Sequence, residues 1–119
     1  MTSVDNSPVF SWFRDHNGLI YTSGHAAVDV ETRLMDRGEL MHEARLTLEN
    51  LRRTLESAGS SLSKVLKVTV YLTDISYYAA FNHLYARYFP GPSVPARTCV
   101  EVSKLPYGFK IEIEAIASV

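Results

Sequence analysis

Toward the C-terminus an arginine, a cysteine and two glutamates recur at alternate positions, a spacing that can build a reactive surface. The stretch is PARTCVEVSKLPYGFKIEIEAIASV, from Pro95 to Val119. Side chains of an extended chain alternate between faces. Arg97, Cys99 and Glu101 therefore share one face, opposite Ala96, Thr98, Val100 and Val102. Farther on, Lys110, Glu112 and Glu114 alternate with Phe109, Ile111, Ile113 and Ala115. Leu105-Pro106-Tyr107-Gly108 supplies turn chemistry between the two runs, since Pro fixes φ and Gly permits φ > 0. The charges predict an antiparallel hairpin with Glu101 facing Lys110, Cys99 facing Glu112 and Arg97 facing Glu114. That register avoids like charges at the ~5 Å separation of opposed side chains. A guanidinium grips a carboxylate with two prongs, and a carboxyl group moves protons. Spacing alone leaves a second reading open, a solvated charge ladder that contributes little.

The elements that must hold this surface follow from the chain in order. Residues 1–7 are polar and read as disordered. From Pro8, VFSWF is aromatic-rich and favours a strand. Asp15-His16-Asn17-Gly18 is a hairpin turn, and Leu19–Ser23 is the returning strand, ended by Gly24. HAAVDVETRLMDRG reads as a loop with a short edge strand. A helix is predicted from about Gly38 to Ala58, because Leu40, Ala44, Leu48, Leu51, Leu55 and Ala58 form one apolar stripe. Glu39, Glu43, Glu49, Arg52, Arg53 and Glu56 then occupy its wet side, and Gly59 stops it in the left-handed conformation. Val65–Thr73 is a strand with Leu66, Val68, Val70 and Leu72 on one face. Asp74 caps a second helix, or a short turn before one. That helix spans Tyr77–Phe89, with Tyr78, Phe81, Tyr85 and Tyr88 or Phe89 as a core-facing aromatic stripe.

The order β-β-(β)-α-β-α-β-β makes a two-layer α+β domain, its two helices on one face of a mixed, mainly antiparallel sheet. The uncovered face would carry Arg97, Cys99 and Glu112 among apolar neighbours, and self-association would bury it. At 119 residues the chain is one domain with an ordinary apolar share of 46%. A net charge of -1 gives no electrostatic reason to expect nucleic acid as a partner. One cysteine forms no internal disulfide. With no apolar run long enough for a membrane span and no signal-like start, the expected location is cytoplasmic.

The C-terminal stretch PARTCVEVSKLPYGFKIEIEAIA closely resembles the signature of the Rid family, also called YjgF/YER057c/UK114. Weaker agreement runs back through YTSG at Tyr21–Gly24 and the helix–strand–helix ARLTLENLRRTLESAGSSLSKVLKVTVYLTDISYYAAFNHLYARYF, so the likeness covers about residues 18 to 117. The resemblance implies a chorismate-mutase-like domain over residues 1–119, assembled as a homotrimer with clefts between subunits. It implies hydrolysis of reactive enamines and imines, such as 2-aminoacrylate or 2-iminopropionate, to a 2-keto acid and ammonia, without metal or organic cofactor. Carried over by residue, Arg97 grips the substrate carboxylate, and Glu112 positions water or shuttles a proton. Cys99, Asn82 and Gly24 line the cleft. The family's frequent Gln after TSG is here His25, a further candidate for substrate contact. Its Gly-Pro-Tyr-Ser-Gln-Ala-like start is replaced by SPVFSWFRDHNG, where Phe10 or Trp12 fills the space.

Residue chemistry weighs these candidates further. A Glu beside apolar surface should have a raised pKa, which suits proton donation. Cys99 opposite a carboxylate would be a poor nucleophile. His16, His25, His42 and His83 show no metal-ligand spacing. Two other functions stay open: a non-catalytic trimer that binds a small carboxylate for regulation, and RNA cleavage, which the near-neutral charge does not favour. Another unsaturated amino acid, for instance an aminomuconate, is an alternative substrate for the deaminase.

Overall fold

A computed structural model describes residues 9–119; the expectation of disorder for residues 1–7, and Pro8, lie outside the described residues. β1 (Phe13–His16) and β2 (Leu19–Thr22) form a hairpin. Asn17 and Gly18 both take positive φ, 52° and 79°, as a two-residue type I′ turn requires. The aromatic run VFSWF enters the strand only at its last residue, Phe13. The predicted edge strand between residues 25 and 38 reduces to single bridges, His25 to Ile113 and Val28 to Met35. Asp29 folds that loop, its carboxylate accepting from the Glu31 and Thr32 amides.

α1 (Leu40–Ser57) is capped by Glu39, whose carboxylate accepts from the amides of Met41 and His42. Gly59, at φ 84°, ends it, and the Ser60 amide returns to the Leu55 carbonyl. β3 (Val65–Leu72) follows, then a single turn capped by Asp74 and α2 (Tyr78–Tyr88). β4 (Ala96–Glu101) and β5 (Ile111–Ser118) complete the chain. The fold is the expected α+β arrangement, two helices against a five-stranded sheet of order β1-β2-β5-β3-β4.

That order overturns the predicted C-terminal hairpin. β3 lies between β4 and β5, parallel to the first and antiparallel to the second. Opposed charged pairs contribute only ~0.2–1 kcal/mol each. Seating β5 inside the sheet buries Ile111, Ile113, Ala115 and Ala117 almost completely beneath the helices, at roughly 1.5–3 kcal/mol for each large side chain. Burial outweighs the charge pattern.

The core follows most of the apolar stripes, with exceptions. Tyr78, expected in the core-facing stripe of α2, is 44% exposed and packs against Arg97 instead. The apolar side of β4, with Val100 39% exposed, faces away from the helices. Leu66, expected inward, is 52% exposed while Val65 is buried. A register shift between Val65 and Lys67 inserts an extra residue and turns Leu66 out of the period-two pattern. Glu43, expected on the wet side of α1, is fully buried. Its carboxylate accepts from the Lys110 amide at 2.8 Å and the Gly38 amide at 3.0 Å. Among the described residues, no helix is long and apolar enough to cross a membrane.

Candidate functional site

Residues paired across a sheet project to the same side, so the register decides which candidates meet. Arg97 pairs with Val68 and Cys99 with Val70, both inward-facing, whereas Glu112 pairs with Tyr71 on the uncovered face. Arg97 and Cys99 therefore face α2 and Glu112 faces away, which corrects the expectation that all three share the open face. Their strands stand two apart, roughly 10 Å. Arg97 lies in the row of Ala115, three residues along β5 from Glu112. One copy of the chain holds two separate clusters.

The first cluster lies between β4 and α2. The Arg97 guanidinium sits over the Tyr85 ring at 4.7 Å and the Tyr78 ring at 5.4 Å. It also donates to the Tyr78 hydroxyl at 3.1 Å. Among the described residues, no carboxylate pairs with it. Cation–π contacts fix the guanidinium without neutralising it, so its remaining donors can still take an anion. Asn82 is on the same helix, its Oδ1 buried without a partner, as is the Tyr85 hydroxyl. Burial raises the pKa of the Cys99 thiol, and Arg97 only partly offsets this. The direction matches the sequence reading, but the cause is desolvation rather than a facing carboxylate.

The second cluster surrounds Glu112. A cavity of about 270 Å³ is walled by Phe10, Trp12, Val28, Tyr107 and Phe109, with Gly24 and Glu112 at its polar end. Half-burial in this wall raises the Glu112 pKa, and Glu114 two residues on adds to it. Gly24 is packed against Glu112 so closely that a Cβ there would overlap the carboxylate. Only glycine leaves the Glu112 side chain its place.

α1 positions this second cluster with buried polar side chains. Asn50 donates to the Ala26 carbonyl at 3.2 Å, and Thr54 bonds His25 Nε2 at 2.7 Å. His25 Nδ1 lies 2.8 Å from the Ser23 carbonyl. That carbonyl can only accept, so Nδ1 carries the proton and Nε2 accepts from Thr54. Burial lowers the His25 pKa to about 4. The ring is fully buried, 5.0 Å from the Trp12 indole, and anchors the Gly24 segment from below. The structure thus places Gly24 in the cavity wall and His25 beneath it, not at a substrate-facing position.

Glu43 joins the residues that sequence reasoning missed. It ties α1 to the start of β5 and so sets where Glu112 begins. The i+3 and i+4 spacing of Glu43, Thr47, Asn50 and Thr54 from the apolar stripe was the available signal. Among the described residues, no three His, Cys, Asp or Glu side chains are grouped to hold a metal ion.

The family model described as Endoribonuclease L-PSP matches residues 5–119. The chain belongs to this family, which is also the Rid family. It is 47% identical over 99 residues to a RutC family protein of Pyrococcus horikoshii, covering 83% of this chain and 78% of that one. It is likewise 47% identical over 104 residues to mmf2, a mitochondrial protein of Schizosaccharomyces pombe, covering 85% and 80%. Among solved structures, the Rid protein YyfA of Yersinia pestis superposes with a TM-score of 0.89 at 34% identity, over 98% of this chain and 93% of that one. TdcF of E. coli, solved with bound serine, superposes at 0.86 with 32% identity, over 98% and 93%.

Proposed function

We propose that this Rid protein hydrolyses reactive 2-imino acids and their enamine tautomers, and that it works as a homotrimer in which each site joins Glu112 of one copy to Arg97 of the next. One observation carries the reading. A fixed, unneutralised cation and a carboxyl of raised pKa lie on opposite faces of the same sheet, each half-buried and neither sufficient alone. A neighbouring copy that brings its β4–α2 edge to the Glu112 cavity completes both requirements. The uncovered face, with Tyr21 and Val100 about 40% exposed, gives that copy apolar surface to cover.

The chemistry follows from the two groups. Arg97 holds the substrate carboxylate, with Asn82 and Cys99 beside it. Protonated Glu112 donates to the imine nitrogen, water adds to the carbon, and the water's proton returns to Glu112. In the second half Glu112 protonates the amine, the C–N bond breaks, and the carbinol proton returns to the carboxylate. One imine and one water give one 2-keto acid and one ammonia. Serine bound to TdcF, a related protein, supports a ligand that carries this carboxylate.

The test is complementation. Arg97→Ala and Glu112→Gln are each expected to lose most hydrolysis of 2-iminopropionate generated in situ. Unfolded and refolded together in equal amounts, they should recover about one quarter of the wild-type sites, since each site draws one residue from each neighbour. No recovery in mixed assemblies of confirmed composition refutes the shared site. An unchanged background rate with wild type refutes the hydrolysis.

A further inference from the structure

We infer that the substrate side chain is large and apolar, of the leucine or phenylalanine class, and that it lies in the aromatic cavity beside Glu112. The inference rests on the hydrolytic reading above and narrows its substrate. With the carboxylate on Arg97 and the imine carbon at Glu112, only the side chain remains to be housed, and the cavity wall is what it meets. That wall has had its polar groups withdrawn. The Trp12 indole N–H donates to the Val30 carbonyl at 3.1 Å, so the ring turns carbon to the cavity. The Ser23 hydroxyl donates to the Ser11 carbonyl. Phe10 packs edge-on against Trp12 at 5.2 Å, and Ala26, Val28 and Phe109 are over nine-tenths buried.

The aromatic wall is also braced from outside. The Arg33 guanidinium stacks over Phe10 at 5.6 Å and Trp12 at 5.2 Å. Arg33 is held there by a left-handed backbone, φ 62°, within the loop that Asp29 folds. Among the described lining residues, Glu112 is the one charged group. Away from the Glu112 end, a charged or hydroxylated side chain would lose water against carbon and find few partners. A methyl group would leave most of a cavity of about 270 Å³ unfilled. An isobutyl or benzyl group reaches far more of the apolar wall, carbon against carbon.

The experiment compares imines generated by an amino acid oxidase from alanine, leucine and phenylalanine, with semicarbazide trapping what the enzyme does not hydrolyse. The leucine- and phenylalanine-derived imines should show kcat/KM at least roughly tenfold above the alanine-derived one, the scale of added methylenes in an apolar pocket. Trp12→Ala and Phe10→Ala should shrink that ratio. Equal or better turnover of the alanine-derived imine overturns this inference and leaves the hydrolytic reading standing. Should no imine be hydrolysed, that reading falls, and binding decides the present one. Trp12 is the only tryptophan, so its emission reports the cavity directly. 4-Methyl-2-oxopentanoate should perturb it at concentrations at least roughly tenfold below pyruvate; equal midpoints overturn the inference.

Discussion

His25 makes the stability of this protein depend on pH in a window where most side chains are silent. Its imidazole is fully buried, and burial lowers its pKa from 6.5 to about 4. The groups around it are a hydroxyl, a carbonyl and an indole, from Thr54, Ser23 and Trp12. None offers a charge to compensate a proton. The unfolded chain therefore takes up that proton first as pH falls. Stability is fully present above pH 6.5 and is lost progressively down to about pH 4. A difference of about 2.5 units corresponds to roughly 3 kcal/mol, a large part of the 5–15 kcal/mol that typically separates folded from unfolded.

Two other groups bracket the window. Glu112, with its pKa raised, binds a proton more readily in the fold and offsets part of the loss. Asp29, held down to about 2 first by the Thr32 amide, gives up its contribution only at lower pH. Urea unfolding followed by Trp12 emission, at fixed protein concentration from pH 7.5 to 4.5, measures the slope. His25→Gln keeps a donor for Ser23 and an acceptor for Thr54 but cannot titrate, so its curve should be flatter by most of the roughly 3 kcal/mol. A variant whose stability falls as steeply as the wild type refutes the assignment of this dependence to a buried neutral imidazole.

Three further outcomes follow from the same geometry. Gly24→Ala should leave the melting temperature within a few degrees, yet cut hydrolysis by one to two orders of magnitude, roughly 1.4–2.7 kcal/mol, because the new Cβ displaces the Glu112 carboxylate; turnover and circular dichroism check it. Glu43→Ala should destabilise by about 3 kcal/mol, leaving two buried amides unbonded, while Glu43→Gln, which keeps one acceptor, should cost less in the same denaturation assay. If Glu112 acts as the acid, kcat should fall as pH rises through its raised pKa, and that limb should vanish in Glu112→Gln, whose residual rate stays flat.

Much of the fold was legible because its signals were strong and local. Asn17-Gly18 specified its turn through φ, Gly59 its helix stop, and the Leu40-to-Leu55 stripe its buried face. What escaped were positions where a polar residue sits on an apolar period or where the period slips. Glu43 lies on the buried side of α1 by spacing and outside it by chemistry. Leu66 is inward by alternation, but the bulge turns it out. In each case two backbone amides or one extra residue, invisible in a hydrophobic pattern, decided the outcome.

The strand order carries the larger lesson for the site. The alternation in β4 and in β5 was read correctly, yet pairing them directly put Arg97, Cys99 and Glu112 on one face. A strand, a helix and a strand in succession favour parallel neighbours joined by the helix, and β3, α2 and β4 obey that rule. Once β4 takes that side of β3, β5 must take the other. The inserted strand separates the two clusters, and the register turns Arg97 toward α2 and Glu112 toward the open face. A site assembled from both then needs a second molecule for a geometric reason: no side-chain rotation carries a guanidinium through its own sheet. Crosslinking shows whether that second molecule is engaged. Cysteines placed at Thr98 and Tyr107 in a Cys99→Ser background should join neighbouring copies, and a crosslink formed only within one chain would sink the shared site.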